Sequence, residues 1–427
     1  MPLEDHPLRY RLANELHARP FPSVPCPGQA VFLAIKQPHQ AAKRDRSLDR
    51  AHLIALLDRF GADHPAPDAT HYFGDLGKFR LKWEQHTEFV TYTAFMDANG
   101  DRPFGPNAWE VFPEDWLEDA PGARVTSTHI RIDPAPKTDQ QVADLLSEWL
   151  VPESLAVSRV LDDTATIAGD FRIDSAGHMR FAVFCKPDTG SRRIGRIVQR
   201  ICEIETYKAM SMLGLPRARE IGQRMGEMDE SLSQLVDDMT GDLAKPDETL
   251  SQLLAIAAEL EKLQSESAFR FGATGAYEAL VNQRISVLRE ERFLGRQTFG
   301  EFMMRRFDPA MRTIKSTENR LLSMTDRAIR AGDLLRTRVD VDRSRQNQDL
   351  LESMNHRADL QLRLQKTVEG LSVVAISYYA VNLVVYLIAP LSEGTGLSET
   401  LLTGLVVLPV VAMVWLIVRS IRRSMEK

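Results

Sequence analysis

Gly370-Leu371-Ser372-Val373-Val374-Ala375-Ile376-Ser377-Tyr378-Tyr379-Ala380-Val381-Asn382-Leu383-Val384-Val385-Tyr386-Leu387-Ile388-Ala389 contains no charged side chain. Crossing roughly 30 Å of hydrocarbon takes about 20 apolar residues, each rising about 1.5 Å along a helix. The stretch therefore predicts a first transmembrane helix over 370–389. A second apolar run, Leu401 to Val418, predicts a second span over 401–418, extended by Arg419 reaching to the interface. Pro409 within it is tolerable, because a kinked helix in lipid has its freed backbone groups satisfied by neighbouring helices and side chains. A pair of buried core helices is the alternative, and the length of the runs argues against it.

Charge sets the expected orientation. Arg363 and Lys366 precede the first run, and Arg419, Arg422 and Arg423 follow the second. The connector 390–400 has Glu393 and Glu399 but no Lys or Arg. Basic residues are retained on the cytoplasmic side, so both termini are expected there. The connector is then an external loop and 419–427 a basic tail. Two readings of Glu393 and Glu399 stand: they concentrate cations at a pore mouth, or they simply mark a loop that lacks basic residues.

Ahead of the first span, proline is absent after Pro309 and the only glycine as far as Lys366 is Gly332. A long helix over 309–369 that runs into the span is the expectation, roughly 80 Å of it by rise per residue. Ile314, Leu321, Ala328 and Leu335 recur every seven residues, with Met324 and Ala331 between them, which is a coiled-coil seam. A helix of this length needs other helices along it, so self-association about an axis normal to the membrane is expected.

Steps of three and four through the junction give Ala358, Gln361, Gln365, Glu369, Ser372, Ile376 and Tyr379. These share one sector of the helix, which makes one face largely polar as it enters the bilayer. A carboxylate at that depth needs water, a partner or a cation. Around an oligomer axis the stripe would line a pore, with Glu369 forming an acidic ring. Equally open is Glu369 at headgroup level, paired with Lys366.

Residues 1–188 read as a mixed α/β domain. Strand-like runs are Ala30 to Ile35, Phe79 to Glu84, Thr87 to Met96, Arg124 to Ile132, Leu155 to Leu161, Thr164 to Ile173 and Met179 to Cys185. Asp174-Ser175-Ala176-Gly177 marks a hairpin turn. Helices are expected over Ser47 to Phe60 and Asp139 to Leu150. Residues 189–308 are helical in character, with an apolar stripe of Ile194, Ile197, Ile201 and Ile204 opposite Arg and Lys. Breaks are expected at Gly241, Pro246 and Gly272.

A chain of 427 residues, 44% hydrophobic and 26% charged, is folded over most of its length. Its net charge of −6 gives no global basic field, so nucleic acid is not an expected partner. Cys26, Cys185 and Cys202 are too widely spaced for a disulfide framework or a CxxC metal site. The polar, acidic opening Met1-Pro2-Leu3-Glu4-Asp5-His6 is unlike a secretory signal. Phosphate-loop, dinucleotide, zinc-protease and serine-hydrolase motifs are absent from the sequence, and an enzyme is not expected. His6 and His17 with Arg9, Arg11 and Arg19 could hold an anion, but such residues more often tether a surface segment. Trp109 and Trp116 around Phe112-Pro113-Glu114-Asp115 read as a small satellite apolar cluster.

Two resemblances follow from these residues. Asn14-Glu15-Leu16-His17-Ala18-Arg19-Pro20-Phe21, with Val368-Glu369-Gly370-Leu371-Ser372-Val373-Val374-Ala375-Ile376-Ser377-Tyr378-Tyr379, resembles a bacterial family of membrane-anchored proteins of unknown function. That resemblance implies the bacterial inner membrane. The layout as a whole resembles the CorA-type magnesium channels: an α/β cytoplasmic domain, an all-α long-helix region and two C-terminal transmembrane helices. The likeness implies a homopentamer in the lipid bilayer with Mg²⁺ or another divalent cation as the transported or regulatory ion, and no other cofactor. That family's Gly-Met-Asn is replaced here by Ala380-Val381-Asn382, which adds Asn382 to Gln361, Gln365, Glu369, Ser372 and Tyr379 as pore-lining candidates.

Overall fold

Strand segments buried on both faces, with alternate side chains packing to opposite sides, account for the N-terminal fold. In the computed structural model, which describes residues 3–10, 12–13, 21–39, 41–97, 100, 102–239, 246–395 and 399–425, the strands are β1 (Gly28–Lys36), β2 (His71–Leu76), β3 (Phe79–Gln85), β4 (Phe89–Met96), β5 (Ala123–Pro134), β6 (Ala156–Val160), β7 (Ala165–Ile173), β8 (Met179–Cys185) and β9 (Glu291–Arg292). They form one nine-stranded sheet in the order β2-β3-β4-β1-β5-β8-β7-β6-β9. Every described pairing is antiparallel except β5 with β8, where Thr128 lies opposite Met179 and Pro134 opposite Cys185.

Alternate residues point to opposite faces. Val31, Leu33 and Ile35 of β1, with Leu81, Trp83, Tyr92 and Ala94, join Leu53, Leu56 and Leu57 of α1 (Arg46–Phe60) in one core. Farther along this face, Val157, Ala168, Ala182 and Phe184 pack on Val142, Ala143 and Leu146 of α3 (Asp139–Trp149). α2 (Glu114–Glu118) adds Trp116, which lies in the main core and not in a satellite cluster. Its indole donates to the His52 carbonyl at 2.8 Å, while the His52 ring stacks on it at 3.9 Å.

The opposite face is covered by α4 (Ser191–Met212), whose stripe of Ile194, Ile197, Ile201 and Ile204 is buried. Gly195 is required there: a Cβ would lie 1.7 Å from the Pro22 carbonyl oxygen, because the N-terminal strap crosses α4 at this point. The Val24 amide donates to the Ser191 carbonyl at 3.0 Å and the Ser23 and Ser191 hydroxyls lie 2.6 Å apart, which holds the strap in place. The β7–β8 turn closes as expected, with Gly177 at φ 89° and its amide bonded to the Asp174 carbonyl at 3.0 Å.

Two compact units divide the chain, residues 1–243 with 251–331 and residues 244–250 with 332–427. In the first, α5 (Gly214–Asp238), most of α6 (Pro246–Leu288) and the start of α8 (Asp308–Thr395) pack together, and α7 (Phe299–Arg306) lies between α6 and α8 in sequence. Arg320 and Arg327 of α8 reach Asp229 of α5, and Lys315 reaches Glu278 of α6. Ile314, Leu321, Met324 and Ala328 are buried in the single chain. This part of the heptad seam thus joins α8 to its own chain's helices.

Gly272 does not interrupt the chain; it lies inside α6, contrary to expectation. A helix-interior glycine costs about 1 kcal/mol relative to alanine, and the burial of Ser267, Phe271 and Thr274 around it offsets that. Gly241 lies outside the described residues. In the second unit, α8 continues to Thr395 and α9 runs from Glu399 to Met425. Two windows in these helices are long and apolar enough to cross a membrane, with mean hydropathy 2.0 and 2.3 and only 6% of each buried. That exposure sets them apart from the core helices of a water-soluble domain, which bury their apolar faces.

Candidate functional site

A cavity of about 300 Å³ lies in the first unit between the sheet and the helices. β3 and β4 supply its floor because their other face is taken by the main core: Lys82, Glu84, Thr91, Thr93 and Phe95 alternate with the residues that pack on α1. Gln199, Arg200, Glu203, Thr206 and Tyr207 come from α4, beside and after the isoleucine stripe, and Arg284 and Val287 from the end of α6. Phe21 and Pro22 of the strap close one side.

The polar wall is a chain of hydrogen bonds. Lys82 Nζ is 3.0 Å from Glu84 and donates to Gln199 Oε1 at 3.1 Å. Gln199 Nε2 donates to Glu203 Oε1 at 2.9 Å, and Glu203 is held by Arg284. Arg200 stands apart: its guanidinium donates to the Val287 carbonyl at a long 3.4 Å. Burial holds its pKa below the ordinary arginine value, and the charge of Arg196 pushes the same way.

The other sheet face has a second polar cluster. Ser127 Oγ lies 2.9 Å from His178 Nδ1, and the His178 ring stacks on Trp109 at 3.6 Å. A serine beside a histidine invites a nucleophile reading, which also needs a third group to orient the base. Here Asp174 spends one carboxylate oxygen on the turn amides of Ala176 and His178, and Ser127 is buried. Ser127 Oγ also donates to the Gly177 carbonyl at 3.2 Å, so the cluster ties the β7–β8 turn to β5. Burial brings both His129 and His178 to about 4, aided at His129 by the charge of His178 and at His178 by that of Arg124. No group of three or more His, Cys, Asp and Glu is placed to hold a metal ion among the described residues.

In the second unit, Gln361, Gln365, Glu369 and Ser372 line one groove of about 520 Å³ together with Ile376 of α8 and Val418 and Ile421 of α9. The polar stripe of the first apolar helix therefore faces the end of the second in the same chain. Gln365 Nε2 donates to Glu369 Oε1 at 3.4 Å, so the neighbour that Glu369 meets is Gln365. Tyr379 lies outside this groove and is 70% exposed, and Asn382 is half-buried. Arg363 and Lys366 are exposed, and Arg419 lies over the Trp415 ring at 4.7 Å. Glu393 belongs to α8 and Glu399, Arg422 and Arg423 to α9, with side chains outside the described residues.

The polar stripe was legible in the sequence, because a helical stripe repeats locally; its facing α9 was not, nor was the cavity, whose walls come from segments far apart in the chain. Of the N-terminal motif, Asn14 to Pro20 lie outside the described residues, and Phe21 is at the cavity. His17, Arg11 and Arg19 also lie outside them; His6 Nδ1 accepts from the Leu8 amide at 3.2 Å, and Arg9 pairs with Asp5. No curated protein and no solved structure matches the chain. The family model described as "Protein of unknown function (DUF3422)" matches residues 4–425, so the chain belongs to that family, as the two motifs suggested.

Proposed function

We propose that this is a membrane-anchored binding protein, in which the hairpin of α8 and α9 sits in the bilayer and the α/β domain takes a small ligand in its cavity. The observation that carries the reading is the cavity itself: a recess with aromatic walls and a fixed row of polar groups, the usual make-up of a small-molecule site. In this reading the chain is a sensor or scaffold, performs no catalysis, and keeps both termini in the cytoplasm at the inner membrane. Self-association belongs to it as well. Residues 340–368 of α8 are exposed on every side in the single chain, and a helix with no packed face is marginal in water.

The test is a thermal-shift screen of a metabolite library against the full-length protein in detergent, in parallel with Val287→Trp, which fills the cavity rim. Compounds that stabilise the wild type and not the variant support the reading. A screen in which every stabilising compound acts equally on both proteins removes it.

A second reading is favoured by one observation, the alignment of Gln361, Gln365, Glu369 and Ser372 along a groove where α8 turns apolar. It is a cation channel or transporter of CorA-like layout, a homo-oligomer, possible as a pentamer, moving Mg²⁺ or another divalent ion past Glu369. Liposomes containing the protein would then take up Mg²⁺, and Glu369→Gln would change the rate without dissolving the oligomer. Intact oligomers that leave the liposomes impermeable to Mg²⁺ end this reading.

A further inference from the structure

We propose that the cavity of the α/β domain selects a small organic anion, a carboxylate or phosphate head on a flat apolar body, with Arg200 binding the head. The inference rests on the ligand-site reading above and names the chemistry of its ligand.

Charge bookkeeping along the wall leads to Arg200. Lys82 is matched by Glu84, and Arg284 by Glu203. Glu203 is also the acidic group that acts on Arg200 through space, yet its two oxygens are already engaged by Gln199 and Arg284. No carboxylate lies within ion-pair distance of Arg200 among the described residues. Among the described residues the acceptor it meets is the Val287 carbonyl, at 3.4 Å. A guanidinium offers five N–H donors in a planar fork, so most of its donors remain for something that enters the cavity.

The surroundings favour an anion over a neutral guest. Arg196 acts on Arg200 with like charge, as do Arg284 and Arg289, which are themselves paired with Glu203 and Asp162. A half-buried cation among other cations is unfavourable until an opposite charge arrives, and carboxylate and phosphate are the groups whose geometry the fork matches in two parallel bonds. Beside it the walls turn apolar, with Phe32, Phe89, Phe95 and Tyr207 as flat surfaces. The volume, about 300 Å³, is at the small end of ligand pockets, which suits one ring with its head group and excludes a dinucleotide.

Isothermal titration of the full-length protein in detergent tests this with benzoate, phenyl phosphate, benzyl alcohol and benzylamine. Benzoate or phenyl phosphate is expected to bind, whichever is tighter identifying the preferred head group. Arg200→Gln should weaken that binding at least tenfold with the melting temperature of the free protein unchanged, and Arg200→Lys should restore part of it. Anion binding that survives Arg200→Gln overturns the inference. Binding of benzyl alcohol or benzylamine in place of the anions, abolished by Val287→Trp, overturns it while the ligand-site reading stands. If none of the four binds the wild type, the inference falls, and the metabolite screen with Val287→Trp alone decides the broader reading.

Discussion

The α/β domain and the hairpin of α8 and α9 treat the same kinds of side chain in opposite ways. In the domain, Leu53, Leu56 and Trp83 are fully buried, and so is a charge, Asp170, which accepts from the Val151 and Arg172 amides and from Arg180. In the hairpin, Leu383, Tyr386 and Leu387 face outward, while Ser377 and Val414 are buried. Burial of apolar surface is what stabilises a domain in water. A hairpin that leaves it outside needs a different surrounding, and a bilayer supplies one. The contrast teaches that apolar side chains serve two ends, and that polar residues mark which: Asp170 is bonded on all sides inside the domain, while Gln361, Gln365, Glu369 and Ser372 line a groove in the hairpin.

Removing the buried charge partner gives the largest expected effect. Asp170→Ala leaves the guanidinium of Arg180 without its carboxylate and two amides without acceptors, and should cost about 3 to 5 kcal/mol in chemical denaturation of the domain. Glu369→Gln in the groove should change the same measurement by less than about 0.5 kcal/mol; equal losses would erase the contrast. Next comes the apolar pair. Leu56→Ala should destabilise by about 2 to 5 kcal/mol, whereas Leu387→Ala, at a position 68% exposed, should leave the domain's transition in place. Gly195→Ala should cost about 1 to 3 kcal/mol by forcing the strap off α4, read as faster proteolysis ahead of β1.

A pH dependence carried by the domain completes the comparison. His129 and His178 are held near 4 by burial, against 6.5 for the free side chain. Between these values the unfolded chain binds protons that the folded chain refuses, so stability rises with pH through the window. It is complete above pH 6.5 and is lost as pH falls towards 4. His129→Gln should flatten the slope of denaturation midpoint against pH in that interval; an unchanged slope would assign it to other groups.

Much of this was legible in the sequence. Strands such as Met179–Cys185 announce themselves by a short apolar run after a turn, and the apolar helices by length. β2 was missed because His71–Leu76 contains Gly74 and Asp75 and lies at the sheet edge, where burial leaves little periodic trace. β9 is too short to have a period. Arg200 was visible only as one of the basic residues opposite an isoleucine stripe, since its meaning depends on Val287 and Glu203. The same holds for Cys26 and Cys185, distant in sequence, whose thiols share a hydrogen bond that lowers the pKa of the first and, first among its causes, raises that of the second.

The parallel pairing of β5 with β8 divides the sheet into two antiparallel blocks, β2-β3-β4-β1-β5 and β8-β7-β6-β9. Within each, most strands meet sequence neighbours, whereas the joint between them waits for α3, β6 and β7 to be threaded first. Parallel pairs are slightly weaker per residue. Under mechanical load, this line is where the domain should part, each half moving as a plate.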